Sequence, residues 1–523
     1  MVMAPAGLLG VIGMWCQMGK GGHWVGRGVV AAAVMMGLAG WGPAGPAAAA
    51  GSAKAASGAV AVARAVAVTV QDYAGVNSVS CGAAGSCAAG GHDGDGGLLQ
   101  GLVALERNGR WGRAIAVPGL AALNTGGQAE VNSVSCVRSG HCAAGGYYSD
   151  NRGGQQGFVV TEQDGRWGKV IEVPGLAALN KEAFAQVTSV SCGAAGDCLA
   201  GGFYSGEQGF VAAEQNGRWG KAIEVPGLAA LNTYNYATIN SVSCASAGNC
   251  AVGGYYSGGG SPQLAFVASE RHGAWARAIE VPGLAALNNP GFAEVNSVSC
   301  GAAGDCAAGG VYVDRHDRWQ GFAVLERNGR WGKATYLPGL PALNKGGRGA
   351  FAPVTSVSCS ADGDCAAGGY YTDRHHHQQG FVAAEHNGHW ARATAVPGLV
   401  ALNKGRSAQV DSVSCTPVGY CVAAGYYASG PFRPKIRFPR QQAFTATEQN
   451  GRWGPAAQIP GLAALNTYNY ATINSVSCPS ARNCAVGGSY ANGPGYPGDG
   501  LSQQGFAAAE HNGIWNQPTQ MPS

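Results

Sequence analysis

One stretch of the chain contains every motif of a repeated unit, and it reads Val187-Thr-Ser-Val-Ser-Cys192, Cys198-Leu-Ala-Gly-Gly-Phe-Tyr204, Gly209-Phe-Val-Ala-Ala-Glu214, Asn216-Gly-Arg-Trp219 and Val225-Pro-Gly-Leu-Ala-Ala-Leu-Asn232. Eight such units follow one another and start near residues 76, 131, 187, 239, 295, 354, 410 and 473. The first cysteines of successive units lie 52 to 63 residues apart. A period of this size indicates a repeat architecture, so the repeat determines the fold.

Each unit contains four strand-like segments. The first is Ser-Val-Ser-Cys, the second starts at the next Cys, the third ends at Glu, and the fourth starts at Trp. Between the third and fourth lies Asn-Gly, or Asp164-Gly165 and His272-Gly273 in two copies, which predicts a tight hairpin. Four antiparallel strands repeated eight times predict an all-β fold, a β-propeller of eight four-stranded blades spanning residues 76–523. A β-solenoid and two four-bladed rings are the alternatives.

Loop lengths predict two different faces of the disc. The disulfide loop and the Asn-Gly turn have fixed lengths, and alternation of connections places them on one face. The loop between the second and third strands varies in length, and with the link to the next blade it belongs to the other face. Because loops on a rigid scaffold usually carry specificity, we expect the variable-loop face to bind the ligand.

Sixteen of the 17 cysteines form pairs with five residues between them. An even number at one spacing predicts local disulfides, whereas zinc motifs have closer pairs that converge on a second pair or on His. The predicted disulfides are Cys81/Cys87, Cys136/Cys142, Cys192/Cys198, Cys244/Cys250, Cys300/Cys306, Cys359/Cys365, Cys415/Cys421 and Cys478/Cys484.

The N-terminal segment indicates export. Residues 1–50 contain two basic residues, no acid, a short apolar run and then small residues, as in a secretory signal peptide. Residues 51–75 are predicted to be a linker or, through the alternating Val and Ala of 61–70, a ring-closing strand. The net charge of +4 falls to about +2 without the leader, which gives no basis for a nucleic-acid partner. We expect a secreted monomer with no membrane span after cleavage.

The repeated motifs resemble those of a known group. Ser-Val-Ser-Cys with Cys-x-Ala-Gly-Gly, and Glu-x-Asn-Gly-x-Trp, resemble the propeller repeats of secreted bacterial proteins with long arrays of paired cysteines. The resemblance covers residues 76–522 and implies a propeller fold and an extracellular location, without implying a reaction. Asn-Gly-x-Trp is also distantly similar to the Asp-box of sialidase-like propellers, although Glu replaces the leading Ser and the Gly-to-Trp spacing is one residue shorter.

The repeated Glu and Trp residues are predicted to be structural. Eight equivalent carboxylates distributed around a ring do not converge on one centre, so we expect each Glu to accept hydrogen bonds near the hairpin of its own blade. The eight Trp side chains are expected to be buried anchors.

Residues present in only some blades are better functional candidates. The variable loops of the fifth to seventh units are rich in His and Arg and predict a sector for an anionic glycan. A divalent metal held by the His run with Asp314 and Asp373, or an ordinary solvated surface, are the alternatives. The candidate ligand-binding residues are Asp314, Arg315, His316, Asp317, Asp373, Arg374, His375, His376, His377, Arg433, Lys435, Arg437 and Arg440.

The sequence predicts a non-catalytic binding or scaffold protein that recognises a surface glycan or another protein, with no cofactor and no assigned metal. The alternatives are a carbohydrate-active hydrolase or lyase on the same fold and a purely structural surface protein. A cluster of unpaired carboxylates at the centre or on the variable-loop face would favour the enzyme, and the sequence-based candidates for such a cluster are Asp314, Asp317 and Asp373.

Overall fold

The computed structural model describes residues 73–521, apart from 96, 139, 182–183, 206–207, 259–260, 290, 418, 431–439 and 495–500. It is an eight-bladed β-propeller in which every blade is an antiparallel sheet built from one repeat. The first strand of each blade is innermost, since it contacts the first strands of both neighbouring blades, including those of blades eight and one. The predicted fold class is confirmed, and the solenoid and the two smaller rings are excluded.

The bounds of the strands repeat from blade to blade. The first strands are Gly75–Ala83, Ala129–Cys136, Gln186–Ala194, Ala237–Ser246, Ala293–Ala302, Val354–Cys359 (preceded by Phe351–Ala352), Ala408–Thr416 and Ala471–Ser480. The second strands are Ser86–Asp95, Cys142–Ser149, Asp197–Tyr204, Asn249–Gly258, Asp305–Val313, Cys365–Thr372, Tyr420–Ala428 and Asn483–Pro494. The third strands are Leu98–Arg107, Gln155–Gln163, Gln208–Gln215, Ser261–Arg271, Trp319–Arg327, Gln378–His386, Gln441–Gln449 and Leu501–His511.

The outermost strand is short and is split into two pieces in most blades. The pieces next to the hairpin are Arg110–Trp111, Arg166–Trp167, Arg218–Trp219, Ala274–Trp275, Arg330–Trp331, His389–Trp390, Arg452–Trp453 and Ile514–Trp515. The second pieces are Ile115–Ala116, Ile171–Glu172, Ile223–Glu224, Ile279–Glu280, Thr335–Tyr336, Thr394–Ala395 and Thr519–Gln520. One-turn helices follow at Leu120–Leu123, Leu176–Leu179, Leu228–Leu231, Leu340–Leu343, Leu399–Leu402 and Leu462–Leu465, with a 3₁₀ turn at Leu284–Ala286. In the described part of the chain no helix is long and apolar enough to cross a membrane.

The two serines of Ser-Val-Ser-Cys form a belt around the axis, which we call the serine belt. Ser78 Oγ accepts a hydrogen bond from the Val134 N–H of the next blade at 3.0 Å, and Ser80 Oγ accepts one from Cys136 N–H at 2.9 Å. The pattern repeats in every blade, which gives sixteen such bonds in all. Because the bonds from Ser475 and Ser477 return to blade one, the belt closes the ring.

The two predicted faces are present. The turn after the first strand and the hairpin after the third are hydrogen-bonded to each other, as in Gly109 N–H to Gly85 O at 3.1 Å. They form the fixed face. The loops between second and third strands contact the interblade links on the opposite, variable-loop face, as in Ser149 N–H to Gln128 O at 2.8 Å. The Asn-Gly turns have the positive φ values that such hairpins require.

The hydrophobic core lies between the blades. One cluster joins Ala143 and Val159 of blade two to Val187, Phe210 and Trp219 of blade three. Equivalent clusters lie between the other blades, and in each of them valines of a first strand pack on the small residues of the preceding blade.

Blade one joins blade eight in the same way that other blades join. Tyr73 pairs in parallel with Gln503 of the last blade, as Phe184 pairs with Gln155 one blade earlier. The ring therefore closes without an exchanged strand in the described residues. The alternating segment 61–70, predicted to be a linker or closing strand, and the predicted signal peptide lie outside the described residues.

All eight predicted disulfides are present, and each joins the first strand of a blade to the second near the fixed face. The bonded pairs are Cys81–Cys87, Cys136–Cys142, Cys192–Cys198, Cys244–Cys250, Cys300–Cys306, Cys359–Cys365, Cys415–Cys421 and Cys478–Cys484. Each closes a small loop and so limits the freedom of the unfolded chain. A disulfide in every blade is consistent with an oxidising extracellular environment.

The cysteines belong to the scaffold and not to a ligand-binding surface. The second cysteine of every pair is buried, and these eight residues are Cys87, Cys142, Cys198, Cys250, Cys306, Cys365, Cys421 and Cys484. Most of them pack within the hydrophobic clusters between the blades. The sulfurs on the second strands are therefore core side chains as well as cross-links, and a ligand on the surface of the propeller does not reach them.

Candidate functional site

The repeated Glu residues serve both their own blade and its neighbour. As predicted, Glu448 accepts a hydrogen bond from the N–H of the hairpin residue Gly451 in its own blade, and the repeated Glu residues also contact the preceding blade. All eight are buried, and burial raises the pKa of most of them. Glu326 accepts a hydrogen bond from Ser269 of the preceding blade at 2.8 Å, and Glu385 pairs with Arg327 of the preceding blade at 3.4 Å. Their role is structural, as the sequence predicted, but it joins neighbouring blades.

Ser269 connects two of these repeated groups. Its hydroxyl donates to Glu326 and accepts the indole N–H of Trp331 at 2.9 Å. Where the preceding blade has Leu or Ala at this position, the indole N–H has no partner among the described residues, as in Trp390 and Trp453. The Ser269 hydroxyl therefore adds two hydrogen bonds to the Glu–Trp pair of the next blade, a pair that every blade has.

We expect Ser269→Ala to lower the free energy of unfolding by about 1–3 kcal/mol, because it leaves two buried polar groups without a partner. The reciprocal variant Ala384→Ser adds a hydroxyl beside Trp453 and should raise the free energy of unfolding. Denaturant unfolding under non-reducing conditions measures both changes. Equal stability of the wild type and Ser269→Ala would contradict the assigned role.

The predicted His and Arg sector is placed on the variable-loop face, and its aspartates form turns. Asp314 Oδ1 accepts the N–H groups of His316 and Arg318 at 2.8 and 3.1 Å. Asp373 Oδ1 accepts those of His375 and His377 at 2.8 and 3.0 Å. These bonds outweigh the effect of burial and lower the pKa of both carboxyls. Each aspartate thus has a structural use within its own loop.

The basic side chains of the sector are exposed. The Arg315 and Arg374 guanidinium groups each contact the adjacent His ring, at 3.2 and 3.0 Å. His376 is exposed at a left-handed turn position, and Asp317 forms a surface ion pair with Arg348 at 2.6 Å. Arg440 is exposed, whereas Arg433, Lys435 and Arg437 lie outside the described residues. The structure shows no contact between the Asp314 and Asp373 loops among the residues it describes.

A second group of variable residues lies where the first strands begin on the variable-loop face, and we call it the axial rim. Each first strand has a buried Ala at its start or one or two residues before it, and these are Ala74, Ala129, Ala185, Ala237, Ala293, Ala352, Ala408 and Ala471. The residues before this Ala are Tyr73, Gln128, Phe184, Tyr236, Phe292, Phe351, Ser407 and Tyr470. The residues after it are Gly75, Glu130, Gln186, Thr238, Glu294, Pro353, Gln409 and Thr472. The third set consists of the residues that follow the last glycine of the Cys-x-Ala-Gly-Gly motif in the second strand, and these are His92, Tyr147, Phe203, Tyr255, Val311, Tyr370, Tyr426 and Ser489.

Aromatic side chains dominate the axial rim. Eleven of its 24 residues are Tyr or Phe. The Phe184 and Phe203 rings lie 5.6 Å apart, and those of Tyr236 and Tyr255 lie 5.3 Å apart. Trp319, at the end of the predicted loop of blade five, contacts Phe292 edge to face at 4.4 Å and stacks on Phe351 at 5.0 Å between ring centres. The predicted loop and the axial rim therefore meet at Trp319.

Two carboxyl groups are neutral at mildly acidic pH, that of Glu294 in the axial rim and that of Asp411, which precedes a serine of the belt in the first strand of blade seven. Burial raises the pKa of Glu294 to about 7, and the hydrogen bond that opposes this comes from Gln263 at 2.9 Å. Burial also raises the pKa of Asp411 to about 7, against hydrogen bonds from Gln409 and Thr472. The Oδ2 atom of Asp411 is buried without a partner among the described residues.

Asp411 replaces a hydrogen-bond donor. The equivalent residues in the other blades are Asn77, Asn132, Thr188, Asn240, Asn296, Thr355 and Asn474. Each of these seven donates to a backbone carbonyl of the next blade, at 2.5 to 3.0 Å. An ionised carboxylate has no proton to donate, so blade seven lacks this contact unless Asp411 is protonated.

Several tyrosines lie near the acids of the axial rim. Burial, then the charges of Glu294 and Asp411, raise the pKa of Tyr370 to about 12. Burial, then the charge of Glu130 and proximity to Tyr470, raise the pKa of Tyr73 to about 12. Each of these phenols lies within electrostatic range of Glu130, Glu294 or Asp411, and all remain protonated at neutral pH; they are Tyr73, Tyr147, Tyr370, Tyr426 and Tyr470.

The sequence analysis missed the axial rim because it looked for differences between the blades only in the loops. A signal was present, since the position between the fixed Ala and the fixed Val or Ile reads Gly, Glu, Gln, Thr, Glu, Pro, Gln, Thr in the eight copies. A variable position between two invariant ones in an inner strand indicates a side chain that the packing of the blade does not require. The carboxyls with strongly raised pKa values are those of Asp411 and Glu294, which the sequence-based list of Asp314, Asp317 and Asp373 omitted.

The fixed face offers less chemistry. A cavity of about 510 Å³ opens there beside the axis, lined by disulfides, backbone and, as its single ionisable side chain outside the disulfides, Arg138. Two groups of described residues have the proximity that a metal needs, Cys81, Cys87 and Glu106, and His141, Cys198 and Glu214. Their cysteines are in disulfides and so are not available as thiolate ligands.

Comparisons with known proteins find only distant structural similarity. No protein-family model matches the sequence, and no curated protein is similar to it. A polysaccharide lyase described as an ulvan lyase has 9% identity and a TM-score of 0.40, over 86% of this chain and 96% of that one. The propeller domain of the trilobed protease of Pyrococcus furiosus has 8% identity and a TM-score of 0.38, over 73% and 94%. The Aleuria aurantia lectin has 10% identity and a TM-score of 0.32, over 62% and 94%.

Proposed function

We propose that this protein is an extracellular binding propeller that takes a glycan on its variable-loop face, with the axial rim as the centre of the site. One observation carries the proposal. Aromatic rings and hydrogen-bonding groups concentrate where the inner strands begin on the variable-loop face, at positions that differ from blade to blade. Flat aromatic faces with polar neighbours suit sugar rings, which present both C–H surfaces and hydroxyls.

The exposed basic loops of blades five to seven supply a second contact zone. Arg315, Arg374 and Arg440 are exposed there, and guanidinium groups pair well with carboxylate, phosphate or sulfate groups. A glycan chain that starts at the axis and extends across Trp319 reaches this sector on the same face. In this proposal the sector contacts the outer part of the chain, and Arg433, Lys435 and Arg437 belong to it by sequence.

The first test is a glycan and cell-wall-polymer array with the mature protein, at low and high salt. We expect binding that Phe184→Ala and Tyr236→Ala together weaken at least tenfold, since each lost ring contact removes about 1 kcal/mol. The control is Tyr336→Ala, which removes an exposed tyrosine from the outermost strand of blade five. Loss of salt sensitivity when Arg433, Lys435, Arg437 and Arg440 become Ala would support the second zone.

Two other results would replace the proposal. Absence of binding to every polymer would favour a protein ligand or a structural role. Binding that is unaffected by the rim variants but lost with Tyr336→Ala would place the site elsewhere on the propeller.

A carbohydrate-active hydrolase or lyase is the second candidate, and one observation favours it. The carboxyl groups of Glu294 and Asp411 have pKa values of about 7, the range in which a group exchanges protons readily at neutral pH. Release of shorter saccharides from a bound glycan, abolished by Glu294→Gln with binding retained, would establish catalysis.

A further inference from the structure

We propose that two identical turns on the variable-loop face are separate subsites for a neutral sugar unit, so that the glycan is held at two points on opposite sides of the axis. The inference rests on the proposed glycan-binding function and adds to it two binding sites and a sugar class. One turn contains Tyr234 and Asn235 in the link into blade four, and the other contains Tyr468 and Asn469 in the link into blade eight. We call these two turns the twin tips.

The segment that contains each tip occurs twice without a change. Residues 233–240 read Thr-Tyr-Asn-Tyr-Ala-Thr-Ile-Asn, and the same eight residues stand at 467–474. Their surroundings have diverged, since Tyr255 on the second strand of blade four corresponds to Ser489 in blade eight. The fold does not require a tyrosine at the tip, because three other links have glycine there. These glycines are Gly126, Gly346 and Gly405. An identical surface segment in diverged surroundings indicates that both copies serve the same purpose.

The first tip is a hydrogen-bonded turn whose exposed amide is oriented by the preceding blade. The backbone N–H of Tyr234 donates to Ser257 O at 3.2 Å, and Asn235 has a φ of 55°. The Gln208 side chain donates to Asn235 Oδ1 at 3.2 Å and accepts from the buried Asn232 at 2.9 Å. The side-chain N–H groups of Asn235 donate to no other residue that the structure describes, so they are available to a ligand.

The second tip repeats this geometry in every contact. The backbone N–H of Tyr468 donates to Ala491 O at 3.1 Å, and Asn469 has a φ of 58°. The Gln442 side chain donates to Asn469 Oδ1 at 3.4 Å and accepts from the buried Asn466 at 3.3 Å. The recurrence is therefore one of structure as well as of sequence.

Each tip combines groups that suit an uncharged sugar. Tyr234 is 65% exposed and Tyr468 is 43% exposed, so both phenol rings are accessible from solvent. A sugar with equatorial linkages has a flat C–H face that packs on such a ring, and its hydroxyls accept hydrogen bonds from an amide beside the ring. Neither repeated segment contains a charged residue. Chains of β-1,4-linked glucose or N-acetylglucosamine have the matching chemistry.

The twin tips lie on opposite sides of the axial rim. The rim residues Tyr236 and Tyr470 each follow a tip tyrosine by two positions, and blades four and eight are half a turn apart in a ring of eight. A chain that crosses the rim therefore has a tip at each side. Two identical subsites match a ligand that presents the same unit repeatedly, as a polymer does. Binding at both raises the affinity about 10²–10⁴-fold above that of one subsite.

The experiment measures the binding of cellotetraose and chitotetraose by titration calorimetry, and of swollen cellulose and colloidal chitin by sedimentation. We expect two molecules of one tetrasaccharide to bind each chain, each covering one tip and the rim beside it. Tyr234→Ala and Tyr468→Ala should each reduce this number to one with unchanged affinity for the remaining site. Each should also weaken binding to the corresponding polymer at least tenfold, because the second point of attachment is lost.

The control is Tyr336→Ala, which removes an exposed tyrosine from the outermost strand of blade five and should change neither measurement. One tetrasaccharide per chain in the wild type, or an effect of only one of the two tip variants, overturns the twin subsites. Failure of both tetrasaccharides while the array shows binding to another polymer overturns the sugar assignment and leaves the glycan-binding function in place. Failure on the array as well overturns both proposals.

Discussion

Gly202→Ala is expected to cost the propeller at least about 3 kcal/mol of its free energy of unfolding, enough to reduce the yield of folded protein. An added Cβ would lie 2.0 Å from the carbonyl oxygen of Gln186. That oxygen approaches closely because the first strand has a bulge between Val187 and Ser189. Both groups are backbone in paired strands, so neither moves without breaking the ladder.

The preceding glycine provides a matched control. At Gly201 an added Cβ would meet methyl groups of Val242 and Ile239 at 2.6 and 2.9 Å, and these side chains can adjust. Blade seven already has Ala424 at this position, fully buried. We therefore expect Gly201→Ala to cost about 1 kcal/mol in denaturant unfolding. Similar losses for both variants would contradict the close approach of the bulge.

The repeat made the architecture predictable, because the spacing of the motifs corresponds directly to physical elements. Trp is always the fifth residue after Glu, and the two became a cross-strand pair beside the Asn-Gly hairpin, as in Glu214 and Trp219. A constant five residues between cysteines became a disulfide between neighbouring strands, as in Cys244 and Cys250. Fixed and variable loop lengths separated the two faces correctly, since a loop of fixed length forms a standard turn.

Contacts between blades were not predictable from one repeat. The serines of Ser-Val-Ser-Cys appear in every copy, yet their hydroxyls bond to the next blade, so their function depends on the rotation between blades. Glu326 likewise accepts its hydrogen bond from Ser269 of the preceding blade, 57 positions away, and this contact also depends on how the blades are rotated. The axial rim forms only when eight separate strand ends meet around the axis, and loop asymmetry alone does not indicate it.

Asp411→Asn is expected to stabilise the folded protein by about 2–4 kcal/mol at pH 8 and to have little effect at pH 4. The pKa of Asp411 is about 7 in the folded protein against an ordinary value of 3.8. Because the folded state holds this proton more tightly, stability is greatest below pH 4 and falls as the pH rises towards 7. The full difference corresponds to roughly 4 kcal/mol at 1.36 kcal/mol for each tenfold change.

An asparagine at this position also restores the donor that the other blades have. Its amide should reach the carbonyl of the next blade as Asn474 reaches Val76 O at 2.9 Å. The measurement is the difference in free energy of unfolding between variant and wild type at pH 4, 6 and 8, with Asp164→Asn as the control for loss of a surface charge. A stabilisation that is the same at all three pH values would show that Asp411 does not titrate in this range. If the gain instead grows from pH 4 through pH 6 to pH 8, Asp411 titrates as described, and the ring retains a residue that lowers its stability next to its proposed site, as expected where binding rather than stability determines the residue.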